Sequence, residues 1–595
     1  MVPARASHAV ADRRSFFSEL RRRKVLRVVV LYVAAAWALS QGVSQLTPAL
    51  DLPDWATRAF LIACAIGFPI TLAMVWHFDS ILREIRLIVA AIPPTAEEIA
   101  AAHAATATNT ATSPEIPHKS IAVLPFVDLS PAHDQEYFSD GIAEEILNAL
   151  VKLKGLKVAG RTSSFSFKGK NEDVRGIGRT LTVAHVLEGS VRKHGERVRI
   201  TAQLIQTCDG YHLWSDNFDG DLSDVFELQE RIARSIAREL DVLLHGEQRL
   251  VPVATTDPEA YRLYLQASDI CNRRDMVHMA QAIELLRQAI ARDPGFARAH
   301  ARLATAYAIQ PNYSPETADT ALANVAAAAA CASALDQGLG EPYSAMALVL
   351  TSAVPRYIES REAMEKALRV QPEDTAVRYW AGSPSILLGY VDWGCAHLDH
   401  LLEIDPLYPA AMLWRGVGHL IKGDLARAEG LFRTATDLGL AHAGLGMHDV
   451  LAARGQFDEA AAQLARGLVM LSEGLSGEQL NILAQGAYGD AAARAHMQAL
   501  IDGIVASQPR WLPGAIPYAL LVRGEAMRAL ELGMRFRSIT GTLYFARFWM
   551  PSSRSMRGSP EFHAFVRHAG LTALWDRYGP PNGSRRDAAG KYTWE

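Results

Sequence analysis

Two phrases in the second half of the chain decide most of the fold: KALRVQP at residues 366–372 and LLEIDP at residues 401–406. Their prolines, Pro372 and Pro406, lie 34 residues apart. The same spacing separates two pairs of glycines, Gly382 and Gly416, and Gly389 and Gly423. A steady period of this length predicts a unit of two helices and a turn that recurs along the chain.

Such a period is typical of tetratricopeptide repeats, which stack because one helix pair cannot bury its own apolar face. We expect about six units between Asp257 and Leu471. Small residues are predicted where paired helices approach closely, and larger ones where a side chain fills the gap. The small ones are Gly382, Gly416, Ala282 and Ala428, and the larger ones are Leu286, Met364, Leu398 and Phe432.

The repeats are therefore assigned to residues 257–472, followed by a helical, repeat-like region at 473–580 and a disordered tail at 581–595. The phrase FWMPSSRSMRGSPEFHAFVRHAGLTALWDRYGPP at 548–581 resembles the segment that closes such arrays. Stacked repeats bind protein segments in a superhelical groove. Six aromatic residues suit either that groove or the core, and the core is favoured: Tyr379, Trp380, Tyr390, Trp393, Tyr408 and Trp414.

Residues 119–246 show the pattern of a small α/β domain. A buried strand is predicted at Ser120–Phe126, then a helix capped by Ser139 or Asp140, because short polar side chains cap helix starts. The other predicted elements are a strand at 156–159, a helix at 174–181 capped by Asp173, a hairpin of 185–192 with 197–205, a strand at 211–218 and a helix at 226–244 capped by Asp224.

The wording of this domain resembles a known family in three stretches: KSIAVLPFVDLS (119–130), EYFSDGIAEEILNALVKLKGLKVAGRTSSFSFKGK (136–170) and AHVLEGSVRKHGERVRITAQLIQTCDGYHLWSDNFDGDLSDVFELQERIARSIARELDVLL (184–244). They resemble the TolB-like amino-terminal domain that bacterial sensor and regulator proteins carry beside tetratricopeptide repeats. The resemblance implies a role in signalling or assembly, and it implies no reaction.

Two features of the domain are candidate binding sites. Ser139, Asp140 and Gly141 lie at a predicted helix start, where anions bind, although plain N-capping is the favoured interpretation. The basic run 161–170 includes Phe165 and Phe167, a mixture found in nucleic-acid sites. A solvated loop with two buried aromatic residues is favoured there.

No catalytic, cofactor-binding or metal-binding residue is predicted. Gly176 and Gly178 lack the rest of a dinucleotide fingerprint. His185 and His212 have no neighbour at metal-ligand spacing and are interpreted as ordinary strand histidines. The five scattered cysteines, none in a CxxC pair, indicate neither a zinc site nor a disulfide framework.

Two apolar segments near the start, about 25–46 and 57–77, predict a transmembrane hairpin within residues 25–78. Residues 1–24 are rich in arginine and are predicted to be cytoplasmic. Arg83 and Arg86 follow the second span, so the soluble body is also placed in the cytoplasm. If the first segment is only interfacial, the body is periplasmic instead.

The phrases FFSELRRRKVLRV (16–28) and LDLPDWATR (50–58) resemble the membrane anchor of bacterial cyclase-related and repeat proteins. Residues 79–118, rich in Ala, Thr and Pro, predict a flexible linker. Relatives of this architecture carry a cyclase or winged-helix domain ahead of the span, and residues 1–24 are expected to be too few for one.

The sequence thus predicts a multidomain bacterial inner-membrane protein: a transmembrane hairpin, a small α/β domain and an all-α tetratricopeptide superhelix. The expected function is non-enzymatic signalling or scaffolding. A protein partner is expected in the repeat groove and the lipid bilayer at the hairpin, with self-association possible. A net charge of −4 gives no indication of nucleic-acid binding. The alternatives are a periplasmic envelope-assembly factor and the regulatory remnant of a cyclase or transcription regulator.

Overall fold

The computed structural model describes residues 116–131, 134–170, 172–242, 249–273, 278–312, 317–352, 355–472, 474–536, 543–588 and 590–594. The chain divides into two compact units, Met1–Ser113 and Pro114–Glu595, and the described residues belong to the second. The predicted basic amino-terminus, the transmembrane hairpin and nearly all of the linker lie outside the described residues.

A mixed sheet forms the centre of the α/β unit, in the strand order β3-β1-β4-β5-β6, with β2 paired to β4. The strands are β1 (Ser120–Val123), β2 (Val127–Asp128), β3 (Lys157–Val158), β4 (His185–His194), β5 (Arg197–Gln206) and β6 (His212–Asp221). Strand β1 is parallel to β3 and β4, whereas β4, β5 and β6 are antiparallel.

The β-hairpin predicted for residues 185–192 and 197–205 is confirmed. Strands β4 and β5 pair from His185 opposite Gln206 to His194 opposite Arg197. Their connection passes through Gly195, whose φ of +60° suits glycine. Apolar side chains of β5 alternate into the core, while Arg199 and Thr201 lie on the other face, as expected for an antiparallel sheet covered on one side.

Four helices complete the unit: α1 (Glu136–Val151), α2 (Arg161–Phe165), α3 (Val174–Leu181) and α4 (Val225–Glu239). Asp173 caps α3 as predicted, by accepting the backbone N–H of Arg175. The predicted cap of α1 is wrong, because α1 begins at Glu136 and both Ser139 and Asp140 lie inside its first turns. Helix α4 ends at Glu239, five residues before the predicted limit.

Six helix pairs follow in the described part of residues 257–472, and the expected repeat pattern is confirmed. The pairs are α5 (Pro258–Arg273) with α6 (Met279–Arg292), α7 (Ala297–Ile309) with α8 (Ala318–Leu335), α9 (Glu341–Thr351) with α10 (Tyr357–Val370), α11 (Thr375–Leu387) with α12 (Val391–Ile404), α13 (Pro409–Ile421) with α14 (Leu425–Asp437), and α15 (Gly444–Ala453) with α16 (Phe457–Gly467). The first member of each pair is called the first helix, and the other the second helix.

The predicted small residues lie where the paired helices touch. A Cβ atom on Gly382 would come within 2.7 Å of Leu398, and one on Gly416 within 2.5 Å of Phe432. The glycines at the ends of α11 and α13, Gly389 and Gly423, have φ values of +96° and +79°. The 34-residue period of the sequence therefore records both helix contact and turn geometry.

The carboxy-terminal region continues with helices and ends in a hairpin. It contains α17 (Gly477–Tyr488), α18 (Ala491–Ala506), α19 (Ala515–Arg523), α20 (Ala526–Arg535), α21 (Ala546–Trp549), α22 (Arg554–Arg557), α23 (Pro560–His568), α24 (Leu571–Tyr578), β7 (Ser584–Arg586) and β8 (Tyr592–Trp594). The prediction of a disordered tail at 581–595 is wrong: β7 pairs with β8, and Tyr592 is buried. The aromatic residues Tyr592 and Trp594 supply the apolar contact that orders it.

Within the described residues, α8 is long and apolar enough, by length and composition alone, to cross a membrane. It lies between α7 and α9 in the array, and its buried residues include Ala321, Val325 and Ala332. This apolar segment is therefore an alanine-rich helix of the repeat stack.

Candidate functional site: the covered first-helix face

The first helices are buried far more completely than their partners. Nine of the 13 residues of α13 are buried, against three of the 13 residues of α14. Eight of the 11 residues of α9 are buried, against four of 14 in α10. Since a second helix covers only one side of a first helix, other segments must cover the remainder. We call that remaining surface of α5, α7, α9, α11 and α13 the first-helix face.

The α/β unit covers the start of this face. Its helix α1 packs so closely on α5 that a Cβ on Gly141 would lie 2.7 Å from Leu265. The rings of Phe226 and Tyr261 pack with centroids 4.7 Å apart. These residues, except Gly141, belong to one hydrophobic cluster that runs from the sheet into the first helix pairs. The α/β unit and the start of the array therefore share a core.

Charged residues surround this shared core. Arg298 of α7 donates to Glu145 of α1 at 2.7 Å, and Arg161 of α2 donates to Glu144 at 2.7 Å. Asn272 of α5 also donates to Glu144, at 3.2 Å. The side chain of Glu145 is only 6% exposed, so its partner Arg298 is needed to offset the cost of burying the charge.

Burial acts to raise the pKa of the Glu144 carboxyl, but the charges of Arg161 and Arg302 outweigh burial and lower it. Burial acts to lower the pKa of Arg298, but the negative charge of Glu145 outweighs burial. The pKa of Arg298 therefore rises. Both shifts favour the charged forms of Glu144 and Arg298 at neutral pH. Such a network orients the α/β unit on α5 and α7.

A second contact joins the α/β unit to the turn between α12 and α13. Asp405, which is fully buried, accepts the backbone N–H of Thr162 at 3.2 Å and that of Ser163 at 2.6 Å. It also accepts the Ser163 hydroxyl, which in turn accepts the N–H of Leu407 at 2.7 Å. The N–H of Gly160 donates to the carbonyl of Ile404 at 2.8 Å. A carboxylate of the fourth helix pair therefore caps a helix of the sheet unit.

The candidate residues of the α/β unit take part in these contacts. Lys168 pairs with Asp140 at 2.5 Å and with Glu136 at 2.7 Å, and burial raises the pKa of Asp140. Residues 161–170 begin with helix α2 and not with a loop, and Arg161 and Lys168 both reach acids of α1. Of the two aromatic residues expected to be buried, Phe167 is buried and Phe165 is only half-buried.

The glycines and histidines for which no binding role was predicted lie in ordinary packing or strand positions. Gly178 lies against the side chain of Thr207, without room for a Cβ. His185 contacts the carbonyl of Ser120 at 3.1 Å through Nδ1, and burial lowers its pKa. His212 is exposed at the start of β6. In the described parts of the chain, no cluster of His, Cys, Asp and Glu could hold a metal ion.

The carboxy-terminal region covers the middle of the first-helix face. The indole N–H groups of Trp549 and Trp575 donate to the carbonyls of Leu387 and Leu388, at 2.8 and 3.0 Å. These carbonyls lie at the end of α11, where helices leave backbone acceptors without partners. The next residue, Gly389, accepts the N–H of Asn582 at 2.9 Å.

Several predicted aromatic residues lie beneath or beside this cover. Tyr379 and Trp414 are buried, which confirms the core interpretation for both. Trp380, Tyr390, Trp393 and Tyr408 are half-buried. The guanidinium of Arg361 lies 3.7 Å from the ring centroid of Trp393 and 5.6 Å from that of Tyr578 in α24. The carboxy-terminal region thus completes an aromatic surface around Arg361.

A buried polar group, missed by the sequence analysis, joins α15 to the same region. Tyr488 donates to His448 Nδ1 at 2.5 Å, and His448 Nε2 donates to Tyr518 at 3.1 Å. The proton is assigned to Nε2 because the Tyr518 hydroxyl donates its own proton to the carbonyl of Leu445. Arg547 pairs with Asp449 through both carboxylate oxygens, at 2.6 and 2.7 Å. Burial lowers the pKa of His448 to about 4, so the ring is neutral.

Two cavities adjoin the array. One, of about 30 Å³, lies among α9, α10, α11 and α24 and has room for about one water molecule. The other is an open groove of about 510 Å³ along α14, α15 and α16, where Glu429 pairs with Arg433 and Arg454. Four cysteines of the described chain are free thiols, of which Cys271 and Cys395 are buried.

The chain also has relatives in sequence. A profile for the second domain of HilA/YgeH-like transcriptional regulators matches residues 117–235. A putative adenylate cyclase 3 of Rhizobium meliloti (strain 1021) is 42% identical over 193 residues, which is 32% of this chain and 33% of that protein. The chain therefore spans about a third of the length of this curated relative.

Solved structures with similar helix repeats share little sequence with the chain. The Pseudomonas aeruginosa pilF structure matches 36% of this chain and 90% of its own, at 18% identity and a TM-score of 0.26. YrrB, a TPR protein with an unusual peptide-binding site, matches 34% and 97%, at 20% identity and a TM-score of 0.23. Yeast Tom70 matches 58% and 76%, at 15% identity and a TM-score of 0.30. At these scores the description of the array rests on its own helix pairs and spacing.

Proposed function

We propose that the chain is a non-enzymatic, membrane-anchored signalling or scaffold protein that binds a protein partner through its helix array. The observation that carries the proposal is the stack of six helix pairs in residues 257–472, in which the first helices α9, α11 and α13 begin 34 residues apart. Arrays of this kind present extended surfaces that suit protein segments. The TolB-like wording of residues 119–244 supports a role in signalling or assembly.

Partner binding is tested by photo-crosslinking in bacteria that express the full chain. A photoreactive residue is placed at Arg369, Ala410 or Asp437 on the array, and at Asp216 on the exposed face of the sheet as a control. We expect one protein to be crosslinked from the array positions and not from Asp216. Adducts from Asp216 alone, or from no array position, contradict the proposal. Adducts at the mass of a second copy indicate self-association.

The proposed location is the bacterial inner membrane, with two spans and the described body in the cytoplasm. The arginines of residues 1–24, together with Arg83 and Arg86, support it, because positive flanks stay on the cytoplasmic side. Alkaline-phosphatase fusions after residues 50 and 110 and at the carboxy-terminus test it. Activity at residue 50 alone is expected. Activity at residue 110 and at the carboxy-terminus supports the periplasmic alternative, an envelope-assembly role.

A second candidate is a regulatory protein of a nucleotide-cyclase or transcription-regulator system. The 42% identity to a putative adenylate cyclase and the match to a transcriptional regulator's second domain favour it. The purified full chain is incubated with ATP and Mg²⁺ or Mn²⁺ and assayed for cyclic AMP. We expect none above the heat-treated control. Cyclic AMP formation that scales with protein concentration would overturn the non-enzymatic proposal.

A further inference from the structure

We propose that the contact of residues 160–163 with residues 404–407 is a latch, and that its opening uncovers the first-helix face for the partner. The regulatory meaning rests on the proposed function, whereas the latch itself does not. We use the word latch for these eight residues only.

The latch carboxylate occupies a position that the repeats use differently elsewhere. Asp293, in the equivalent ARDP phrase, accepts the N–H of Gly295 in its own turn at 2.9 Å. Asp336, at the end of α8, accepts the N–H of Gly338 in the same way, at 2.8 Å. The side chain of Asp405 instead accepts from Thr162 and Ser163, more than 240 residues away in sequence. Asp293 also accepts the hydroxyl of Thr255, and Gln371, 34 residues before Asp405, accepts the N–H of Gly340 in the preceding turn. Asp405 differs because its partners belong to the α/β unit.

The two ends of the α/β contact differ in what opening would cost. At α5, separation would expose apolar residues such as Leu265 and Tyr261 to water, at roughly 25 cal/mol for each Å². At the latch, five groups are hydrogen-bonded: the N–H groups of Gly160, Thr162, Ser163 and Leu407, and the Ser163 hydroxyl. Water can replace all five bonds, because they are polar on both sides. Separation would also expose Leu407, which packs against the cluster of Ala159 and Phe167, whereas several apolar side chains would be exposed at α5. The latch is therefore the end that opens, with the α5 contact as its hinge.

The latch has no spare room, which gives a way to open it from either side. A Cβ on Gly160 would overlap the carboxyl group of Asp405. The φ of Gly160 is −63°, so a larger residue is compatible with the backbone itself. Gly160→Val therefore acts by displacing the array, whereas Asp405→Ala removes the carboxylate.

Hydrogen exchange followed by mass spectrometry on the full chain in detergent tests the latch. We expect Asp405→Ala and Gly160→Val each to speed exchange about tenfold in peptides from both partners, residues 159–168 and 402–413. Peptides from α1 and α5 should keep their protection, since the hinge stays closed. Matched controls are Asp424→Ala, which removes a cap within α14, and Gly176→Ala, where a Cβ meets only a side chain at 3.5 Å.

Two results would overturn the latch. Faster exchange confined to α2 shows a lost helix cap without opening, and equal acceleration in α1 and α5 shows general destabilisation.

The gating step is then tested by crosslinking at Ala410, where both opened variants should give a higher yield of partner adduct. An unchanged yield in variants that exchange has shown to be open contradicts gating. Absence of any adduct in all variants contradicts the proposed function and leaves the latch standing.

Discussion

The first-helix face is covered twice, and the two covers use different chemistry. The α/β unit closes on the α12–α13 turn through a carboxylate, a hydroxyl and backbone N–H groups. The carboxy-terminal region closes on the end of α11 with two buried tryptophans. At the latch, entry of water replaces hydrogen bonds and exposes Leu407, whereas at the carboxy-terminal contact it would expose two large buried indoles. We therefore expect the first cover to open at the latch and the second cover to stabilise the array.

Both covers also change how the array is held together. In a plain repeat stack each unit contacts only its neighbours. Here Asp405 contacts a residue 242 positions away, and Leu388 one 187 positions away. Long-range contacts of this kind couple the repeats, so we expect the array to unfold with the segments that cover it.

The largest effect is expected from Trp575→Ala in the carboxy-terminal cover. Trp575 is 1% exposed, and its indole donates to Leu388. Truncating a buried tryptophan removes apolar burial and leaves a cavity, so unfolding should become easier by about 3–5 kcal/mol. The free energy of unfolding is measured by chemical denaturation. Phe457→Ala, at a residue that is 53% exposed, is the control and should cost less than about 1 kcal/mol.

A somewhat smaller loss is expected from Arg298→Met in the α/β cover. It leaves Glu145 buried without its partner, at a cost of about 3 kcal/mol. Arg577→Met breaks an ion pair with Glu362 in which both side chains are about half-exposed, and it should change stability by less than about 1 kcal/mol. Equal effects in the two variants would show that burial does not set the strength of the α/β cover.

Acid should weaken the carboxy-terminal side through His448. Its neighbours are Asp449, Arg547, Tyr488 and Tyr518, and burial lowers its pKa from 6.5 to about 4. Between these values the unfolded chain binds a proton that the folded chain does not, so this contribution is present above pH 6.5 and is lost as the pH falls. The loss at pH 5 is about 2 kcal/mol.

The measurement compares the free energy of unfolding at pH 7 and pH 5 in the native chain and in His448→Gln. The glutamine variant should show the smaller pH dependence, because other titrating groups are common to both. An identical pH dependence in the two proteins would mean that the pKa of His448 is the same in the folded and unfolded states.

The smallest effect separates turn geometry from the carboxy-terminal cover. Gly389 and Gly423 occupy equivalent turns with positive φ, so alanine costs about 1 kcal/mol at each. A Cβ at Gly389 would also lie 2.6 Å from Pro581, whereas one at Gly423 has nothing within 4 Å. Gly389→Ala should therefore lower the free energy of unfolding, measured with denaturant, by about 1–2 kcal/mol more than Gly423→Ala does. Equal losses would indicate that the cover is loose at Pro581.

Much of the local structure was predictable because it depends on spacing. The hairpin of β4 and β5 follows from alternation, and the contact of Gly416 with Phe432 from the repeat period. The start of α1 was misplaced because Ser139 and Asp140 are good capping residues in isolation, while Lys168 holds Asp140 inside the helix. The prediction of a disordered tail was wrong because it rested on the polar composition and neglected the packing of Tyr592 and Trp594.

The candidate site was largely unpredictable for a related reason. The phrase LLEIDP gives no indication that Asp405 differs from Asp293, since both precede a proline at the end of a helix. The indole N–H groups of Trp549 and Trp575 likewise bear no sequence relation to the carbonyls of α11. The Gly-Arg-Thr-Ser stretch at 160–163 carried a signal, a glycine ahead of two hydroxyl residues, but not its partner.

The amino-acid pattern predicts the elements of the described chain: a small α/β unit, six helix pairs and the turns between them. These depend on the periodicity of apolar residues and on glycine at left-handed turns, which are properties of neighbouring residues. The covering of the first-helix face, the segments that form the cover and their polar or apolar chemistry depend instead on contacts between residues distant in sequence. A hydrogen bond or a buried contact requires two groups to meet in space, and for Asp405 and Ser163 the fold alone brings them together.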